Sequence, residues 1–376
     1  MKVMFIMDSP QAYMSGIWLH RNEIPSESLR KRGHAIKQVA IGHTFPDDLL
    51  NWPDTVIFGR TYPSQFDPIK TMTEFKKKGK RVLYDMDDDF WSVAKDNPSV
   101  LVSNALKDQY EGMIREADAV ITPSTVLAKK FKRYFKKPVF ICPNGIDERI
   151  YQERPHQNTD TLKIGYMGAA SHWKDLQLIG EVISELYKKH DFLFTIYGLT
   201  GEPLEAAIYT YNKIYRNNFQ PERNAYFKSA LDFYEQISSS RMWHVPFMPP
   251  ELHPKTLSMC DLDIGLAPLE DTEFNRGKSC IKFYEYASVG TVTLASDVLP
   301  YSDEVGYLAK NTKKDWYNKL EKLIIDHDFR NKLLTKQQKW VRENRYLDAI
   351  GVPWELACQR PGGVKVLNQT RNEEKT

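Results

Sequence analysis

The sequence predicts an α/β protein made of two doubly wound domains that face each other across a cleft. Three observations predict it. Short apolar runs alternate with longer amphipathic ones through the first 150 residues. A polar, irregular stretch beginning at Tyr151, YQERPHQNTDT, interrupts that alternation as a linker does. The alternation then restarts on new apolar runs and continues to about residue 345. At roughly 150 residues per domain, 376 residues hold two domains, each with its own core.

In the first half the predicted strands are Val3–Met7, Ala35–Ile41, Thr55–Phe58, Arg81–Tyr84, Ala119–Thr122 and Val139–Cys142. Helical patterns lie between them at Glu23–Lys31, Pro68–Lys78, Val102–Glu116 and Ser124–Phe135. Short apolar strands separated by helices indicate a parallel sheet covered on both faces. Ser124 follows Pro123 and precedes an apolar-periodic run, which suits an N-cap. The second half repeats the architecture but not the residues. Its strands are Lys163–Met167, Phe192–Tyr197, Met242–Phe247, Leu262–Ala267 and Thr291–Ala295, with helices at Lys174–Lys189 and Ser279–Val289. Helical patterns follow at Lys313–Asp326 and Phe329–Glu343, then a break at Gly351 and Pro353, then a short amphipathic stretch, Trp354–Gln359. The expected division is 1–152, 153–345, a crossover segment 346–367 and a frayed tail 368–376. The stretch Gly201–Arg241 is long for a connection between two strands and dense in tyrosine (Tyr209, Tyr211, Tyr215, Tyr226, Tyr234). It reads as a helical insert packed on the domain, or as an arm that meets an acceptor or partner.

Composition excludes several classes. Hydrophobic residues make up 41% and charged residues 27%, the balance of a soluble globular chain. No run approaches the ~20 apolar residues of a spanning helix, and the apolar start MKVMFIM reaches Asp8 too soon for a signal peptide. Four cysteines, Cys142, Cys260, Cys280 and Cys358, show no CxxC spacing, so neither zinc nor a disulfide framework is expected, and the setting reads as cytoplasmic. Residues 1–150 hold 23 Lys and Arg against 19 Asp and Glu, the remainder 29 against 30, a small positive excess in the first half. There is no GxSxG, HExxH, P-loop or GxGxxG, so hydrolase, metalloprotease, NTPase and dinucleotide oxidoreductase readings lack their local signatures.

Open α/β sheets bind ligands beyond the carboxyl ends of their strands, and there the most informative stretch falls. It is DLDIGLAPLEDTEFNRGKSCIKFYEYASVGTVTLASD, Asp261–Asp297. A strand runs into a polar loop holding Asn275, Arg276, Gly277 and Lys278, then into a helix. A helix N-terminus suits phosphate, and Lys278 adds a full charge there. Lys282 and Glu285 share one helix face, three residues apart. Such a pair holds a diphosphate and a ribose diol, or is a plain surface ion pair.

This stretch resembles the donor-binding signature of retaining family 4 glycosyltransferases (group 1 glycosyltransferases) with the GT-B fold. The matching pattern is DIGLAPL, then FN..KS..K..EY...G, then a strand ending in Ser-Asp. AVITPSTVLAKKF with KPVFICPNGID, KIGYMGAASHWKDLQLI and SGIWLHRNEIPSESLRKRGH resemble other segments of that family in the same order. The resemblance touches about four-fifths of the chain. It implies two Rossmann-like domains, with Trp354–Gln359 in a C-terminal helix crossing back to the first. It implies a nucleotide diphosphate sugar as donor, UDP- or GDP-linked, bound mainly by the second domain, and an acceptor on the first. It also implies retention of anomeric configuration without a metal in the transfer step.

Residue by residue, Glu285 matches the family's ribose-binding glutamate, and Lys174 the lysine that contacts the diphosphate. Lys278 and Ser279 match phosphate-reaching loop positions. Gly16 and Gly168 match glycines of the first loops of the two domains, and Val245 and Phe247 lie where the base is bracketed. Catalytic roles fall on Lys174, Lys282 and Asp88. Two positions depart from the pattern. The first glutamate of Glu-x7-Glu would stand at Gly277, where Asn275 or the loop backbone would substitute. The arginine before the phosphate lysine is missing, because Ala169–Ala170 follow Gly168, so Arg276 or Lys278 would compensate.

The first domain adds Asp85, Asp87, Asp88 and Asp89 in LYDMDDDFW at a strand's carboxyl end. They read as acceptor-side contacts, chiefly Asp87 and Asp88, or as a capping and surface cluster; a divalent-cation site ranks last. His20, Arg21 and Arg60 also lie near predicted strand ends and read as structural. Lys129–Lys137, KKFKRYFKK, interleaves six basic residues with three aromatics. Such a helix meets an anionic membrane or nucleic acid, or is a solvated face with its aromatics buried. The acceptor is expected to be a cell-surface glycan or lipid-linked saccharide. A phage-type transferase acting on a hydroxymethylated DNA base and a catalytically degenerate nucleotide-sugar binder are the alternatives.

Overall fold

The computed structural model describes residues 1–7, 16–41, 45–60, 62–63, 65–95, 97, 99–153, 161–168, 172–198 and 225–359. Two parallel six-stranded sheets organise it. The first contains β1 (Lys2–Met7), β2 (Ala35–Ala40), β3 (Thr55–Phe58), β4 (Arg81–Asp85), β5 (Ala119–Thr122) and β6 (Val139–Ile141), in the order β2-β1-β3-β4-β5-β6. The second contains β7 (Leu162–Met167), β8 (Phe192–Tyr197), β9 (Met242–Val245), β10 (Ile264–Ala267), β11 (Val292–Ser296) and β12 (Leu308–Ala309), in the order β12-β11-β10-β7-β8-β9. Central strands such as β3 and β5 are buried along their whole length, because helices cover both faces of each sheet. The strand order reverses beside β1 in one sheet and beside β7 in the other. Those switch points are where such sheets leave a crevice for ligands.

Several helices differ from the sequence reading. Glu23–Lys31 extends back to Gly16, with a π-helical turn over Leu19–Glu23 before helix Ile24–Lys31. The Ile24 amide donates to Leu19 O, five residues back. Pro25 follows and has no N–H to close an α-turn on Arg21. The expected helix Lys174–Lys189 is two, Trp173–Leu176 and Gly180–Tyr187. Between them the amides of Gln177, Leu178 and Ile179 donate three residues back, so the ladder tightens and turns. β12 carries no pattern of its own and is held by pairing Leu308 with Ala295.

The break expected at Gly351 and Pro353 is instead the middle of a helix, Leu347–Cys358. Gly351 is there for close approach: a Cβ would lie 2.6 Å from both Ser28 Oγ and Arg32 Cδ. This helix lies on the first sheet. Ser28 Oγ donates to Leu347 O at 2.6 Å, Thr55 Oγ1 to Cys358 O at 2.8 Å, and Arg81 Nε to Ala357 O at 3.0 Å. Trp354 is fully buried against Phe5.

Of the stretch Gly201–Arg241, Tyr209, Tyr211 and Tyr215 lie outside the described residues. Its later part is helix Ala225–Ile237, whose Ala230, Phe233 and Ile237 enter the core of the second domain. Tyr234 packs on Trp173, with ring centroids 5.5 Å apart.

Candidate functional site

A cleft of about 600 Å³ opens between the two sheets at their switch points. From the first domain it is lined by Gly16, His20 and Arg60 with Asp87 and Asp88; from the second by Gly168, Phe247, Lys278, Ser279, Lys282 and Glu285. The sequence brings these together through the parallel strands, which deliver every following loop to one edge of each sheet.

Glu285 is 2% exposed. Its Oε1 accepts from His20 Nε2 at 3.2 Å, from His253 Nε2 at 3.0 Å and from the Tyr151 hydroxyl. Burial pushes the carboxyl up, but His253 and His20 outweigh it and hold Glu285 well below the usual carboxylate range. Among the described residues all of its hydrogen bonds use Oε1, so the carboxylate keeps the lone pairs of Oε2. His253 is itself fixed by Tyr197, whose hydroxyl lies 2.7 Å from Nδ1.

Lys282 stands three residues before Glu285 on helix Ile281–Ser288, 5.6 Å over the Tyr166 ring. Burial and the neighbouring Lys278 push its ammonium down to about 8, against the pull of Asp175 and Glu285. The helix has no side-chain N-cap; the Ser279 hydroxyl, two residues earlier, accepts from Asn144 Nδ2 at 2.8 Å instead. Uncapped amides, Lys278 and Lys282 together make a strongly electropositive mouth.

Other predicted residues sit differently. Lys174 lies on the helix that follows the cleft's second-domain loop but is not among the lining residues. Val245 is buried at the end of β9, while Phe247 beyond it is 57% exposed and faces the cleft with Met248 and Pro250. Asn275 is buried; its side-chain amide donates to Glu270 O at 3.0 Å and Asp175 Oδ1 at 3.3 Å, so it braces the loop. Arg276 is held by Asp271 at 2.6 and 2.8 Å, outside the cleft. Gly168 lines the cleft, and its size is required locally, since a Cβ would lie 2.5 Å from the Tyr166 hydroxyl. A Cβ on Gly16 would meet nothing within 4 Å.

The four aspartates divide among three cations. Arg21 grips Asp85 at 2.6 and 2.9 Å and also donates to Cys142 O and Asn144 Oδ1, both at 2.8 Å. Arg60 reaches Asp88 at 2.8 Å and Asp87 at 3.2 Å. Lys130 donates to Asp89 at 2.6 Å and to Glu273 of the second domain at 3.1 Å. Burial and Asp87 raise the Asp88 carboxyl, while Arg60 and Lys278 oppose them. No group of three or more His, Cys, Asp or Glu among the described residues is arranged to hold a metal ion. Lys130 is thus an internal bridge. Of the rest of helix Thr125–Phe135, Phe131 is buried, whereas Lys129, Lys132, Arg133 and Tyr134 are exposed, as is Lys136 at its C-cap.

Sequence reasoning missed Tyr151, Tyr197, His253, His172 and Asp175. The first three come from separate segments and carry no local spacing. His172 and Asp175 are three apart at a helix start, a spacing that could have been read.

No protein-family description matches the chain, and no curated protein matches it. Solved structures do. An α-glucosyltransferase in complex with UDP and a DNA 13-mer containing an HMU base superposes with a TM-score of 0.63 at 13% identity, over 95% of this chain and 99% of that one. A glycosyltransferase from Rickettsia africae gives 0.62 at 12% identity, over 95% and 97%. Anabaena HepE in complex with UDP and glucose gives 0.61 at 12% identity, over 95% and 98%. The chain therefore has the GT-B fold, with two Rossmann-like domains around a cleft.

Proposed function

We propose that this chain is a glycosyltransferase that moves a sugar from a UDP-sugar to a hydroxyl acceptor with retention of anomeric configuration. The observation that carries the reading is the meeting, in one interdomain cleft, of Lys278, Lys282, an uncapped helix N-terminus and the buried carboxylate of Glu285. The GT-B likeness supports it, since neighbours of that fold were solved with UDP. Glu285 accepts the ribose hydroxyls, and Phe247 with Met248 gives the base an apolar wall. The two lysines and the helix amides hold the diphosphate. When the bond from the anomeric carbon to the phosphate oxygen breaks, negative charge grows on the leaving diphosphate. Groups already aimed at that charge lower the barrier. The acceptor hydroxyl approaches from the first domain, where Asp88 and Asp87 hold the acceptor by accepting from its other hydroxyls and leave the attacking one free to face the phosphate. Its proton passes to the leaving phosphate as the new bond to the anomeric carbon forms on the same face. Each of the four aspartates already has a cationic partner, so this transfer step is assigned no metal.

The acceptor is a cell-surface glycan or lipid-linked saccharide, met at a membrane surface by Lys129, Lys132, Arg133 and Lys136. One observation favours a second reading, a base in DNA: the same exposed basic face suits phosphates, and one neighbour was solved with DNA. No described helix is long and apolar enough to cross a membrane.

Thermal shifts with UDP, GDP, ADP, CDP and dTDP, with and without EDTA, test the proposal. UDP at a hundredfold excess over its Kd should stabilise the protein by about 2.7 kcal/mol. The shift should be insensitive to EDTA and lost in Glu285→Ala. A protein that no nucleotide stabilises would remove the transferase reading and leave a degenerate one.

A further inference from the structure

His172 lines the cleft and pairs with Asp175, which is buried and does not line it. His172 precedes helix Trp173–Leu176, and its Nδ1 lies 2.7 Å from Asp175 Oδ2. Asp175 is 3% exposed, and its other oxygen accepts from the Glu270 amide at 2.7 Å and from Asn275 Nδ2 at 3.3 Å. Asp175 thus ties the segment after β7 to the loop after β10, the two strands that flank the switch point. Both of its oxygens only accept, so the proton between the pair sits on His172 Nδ1.

That arrangement decides what the other ring nitrogen does. His172 lines the cleft, and its Nε2 has no hydrogen-bond partner among the described residues. Burial, Lys278 and Lys282 push His172 down to about 3, against the pull of Asp175, so the ring is neutral near pH 7. A neutral ring with a bare Nε2 lone pair offers nothing to a phosphate oxygen, which also only accepts. It suits a hydroxyl. His172, Lys278 and Lys282 line the same cleft, so a hexose hanging from a diphosphate that the lysines hold would lie within reach of the ring. The apolar wall of Phe247 and Met248 would keep the base elsewhere.

We propose that His172, oriented by Asp175, accepts a hydrogen bond from a hydroxyl of the transferred hexose and thereby helps determine which sugar is moved. The proposal rests on reading the cleft as a UDP-sugar site. A site built to pair with a substrate hydroxyl rejects analogues that lack or misplace it, because the buried acceptor is then left unpaired. Asp175 is a positioning residue: without its carboxylate the ring is free to carry its proton on Nε2 and face the sugar as a donor.

Isothermal titration with UDP, UDP-glucose, UDP-galactose and UDP-N-acetylglucosamine tests it. The proteins are the wild type, His172→Ala, the ring-filling His172→Phe, His172→Gln and Asp175→Asn. UDP affinity should stay within about twofold in the three His172 variants, and Asp175→Asn is read by its ratio of UDP-hexose to UDP affinity. The UDP-hexose that the wild type binds best should weaken about tenfold in His172→Ala, His172→Phe and Asp175→Asn, the scale of one hydrogen bond. It should recover in part in His172→Gln, whose carboxamide oxygen accepts. Equal weakening of UDP and UDP-hexose would place His172 on the diphosphate and overturn the proposal. Unchanged affinities would overturn it as well. A wild type that binds UDP but none of the hexose donors would refute the sugar assignment alone. A wild type that binds none of the four would refute the reading of the cleft itself.

Discussion

Raising the pH from 7 to 9 should strip one charge from the proposed donor site. Lys282 is the group concerned, its ammonium pushed down to about 8 by burial and Lys278. A base with a lowered pKa is charged below that value and neutral above it. A diphosphate favours the charged form. UDP affinity should therefore be full below pH 8 and fall as pH rises through it. Each pH unit above the free-state value costs about 1.36 kcal/mol to restore the proton, or about tenfold in Kd, until the higher pKa of the bound form is reached. The phosphates of UDP, with a second pKa of about 6, stay fully ionised in this window. His172, near 3, stays neutral throughout. The assay is UDP Kd by titration calorimetry at half-unit steps. Wild type should be level to about pH 7.5 and then weaken. Lys282→Arg keeps its charge across the range and should bind with no such slope. Lys282→Met should bind weakly at every pH. A level wild-type curve, or the same slope in Lys282→Arg, would refute the reasoning.

Three further outcomes follow from the packing. Arg21→Ala leaves Asp85 buried without its cation, and Asp85→Asn leaves Arg21 without its carboxylate; each should cost about 3–5 kcal/mol in urea unfolding. Gly351→Leu should push helix Leu347–Cys358 off Ser28 and Arg32 and cost at least about 1–3 kcal/mol, read as a lower urea midpoint. Replacing Lys129, Lys132, Arg133 and Lys136 with glutamine should weaken binding to anionic vesicles or DNA while UDP affinity holds. Lys130 is spared because it anchors Asp89.

The sheets were legible because a strand buried on both faces must be written as a continuous apolar run. Ala119–Thr122 is one, and so is Ile264–Ala267. Leu308–Ala309 is too short to write anything. Gly351 and Pro353 were misread because a glycine needed for close approach and a proline tolerated within a helix look, in sequence, like a stop. Within the site, Lys282 and Glu285 were legible because one helix turn fixes their spacing. Asn275 and Arg276 looked equally eligible, and only their partners, Asp175 from a distant segment and Asp271 from the same loop, show where they point. Tyr151 and His253 could not be read at all, since they meet Glu285 only through the fold.

Gly277 lies where the first domain grips the loop that bears Lys278. The loop bearing Lys278 is held by the first domain on both sides: Ser124 Oγ donates to Gly277 O at 2.8 Å, and Asn144 Nδ2 to Ser279 Oγ at 2.8 Å. A Cβ at position 277 would lie 3.1 Å from Leu127 Cδ2, so the loop seats on helix Thr125–Phe135 because no side chain intervenes. Alanine needs only a few tenths of an ångström from Leu127. Glutamate would force a carboxylate into that apolar seat and prise the loop away. At about 1–3 kcal/mol for overpacking, Gly277→Glu should weaken UDP by about tenfold or more with Lys278, Lys282 and Glu285 all present. Small-angle scattering should show it more open than wild type, with Gly277→Ala close to wild type in both measurements. A glutamate variant that scatters like wild type and binds UDP equally well would refute the coupling. One that bound a UDP-hexose more tightly while UDP was unchanged would instead assign position 277 to the sugar.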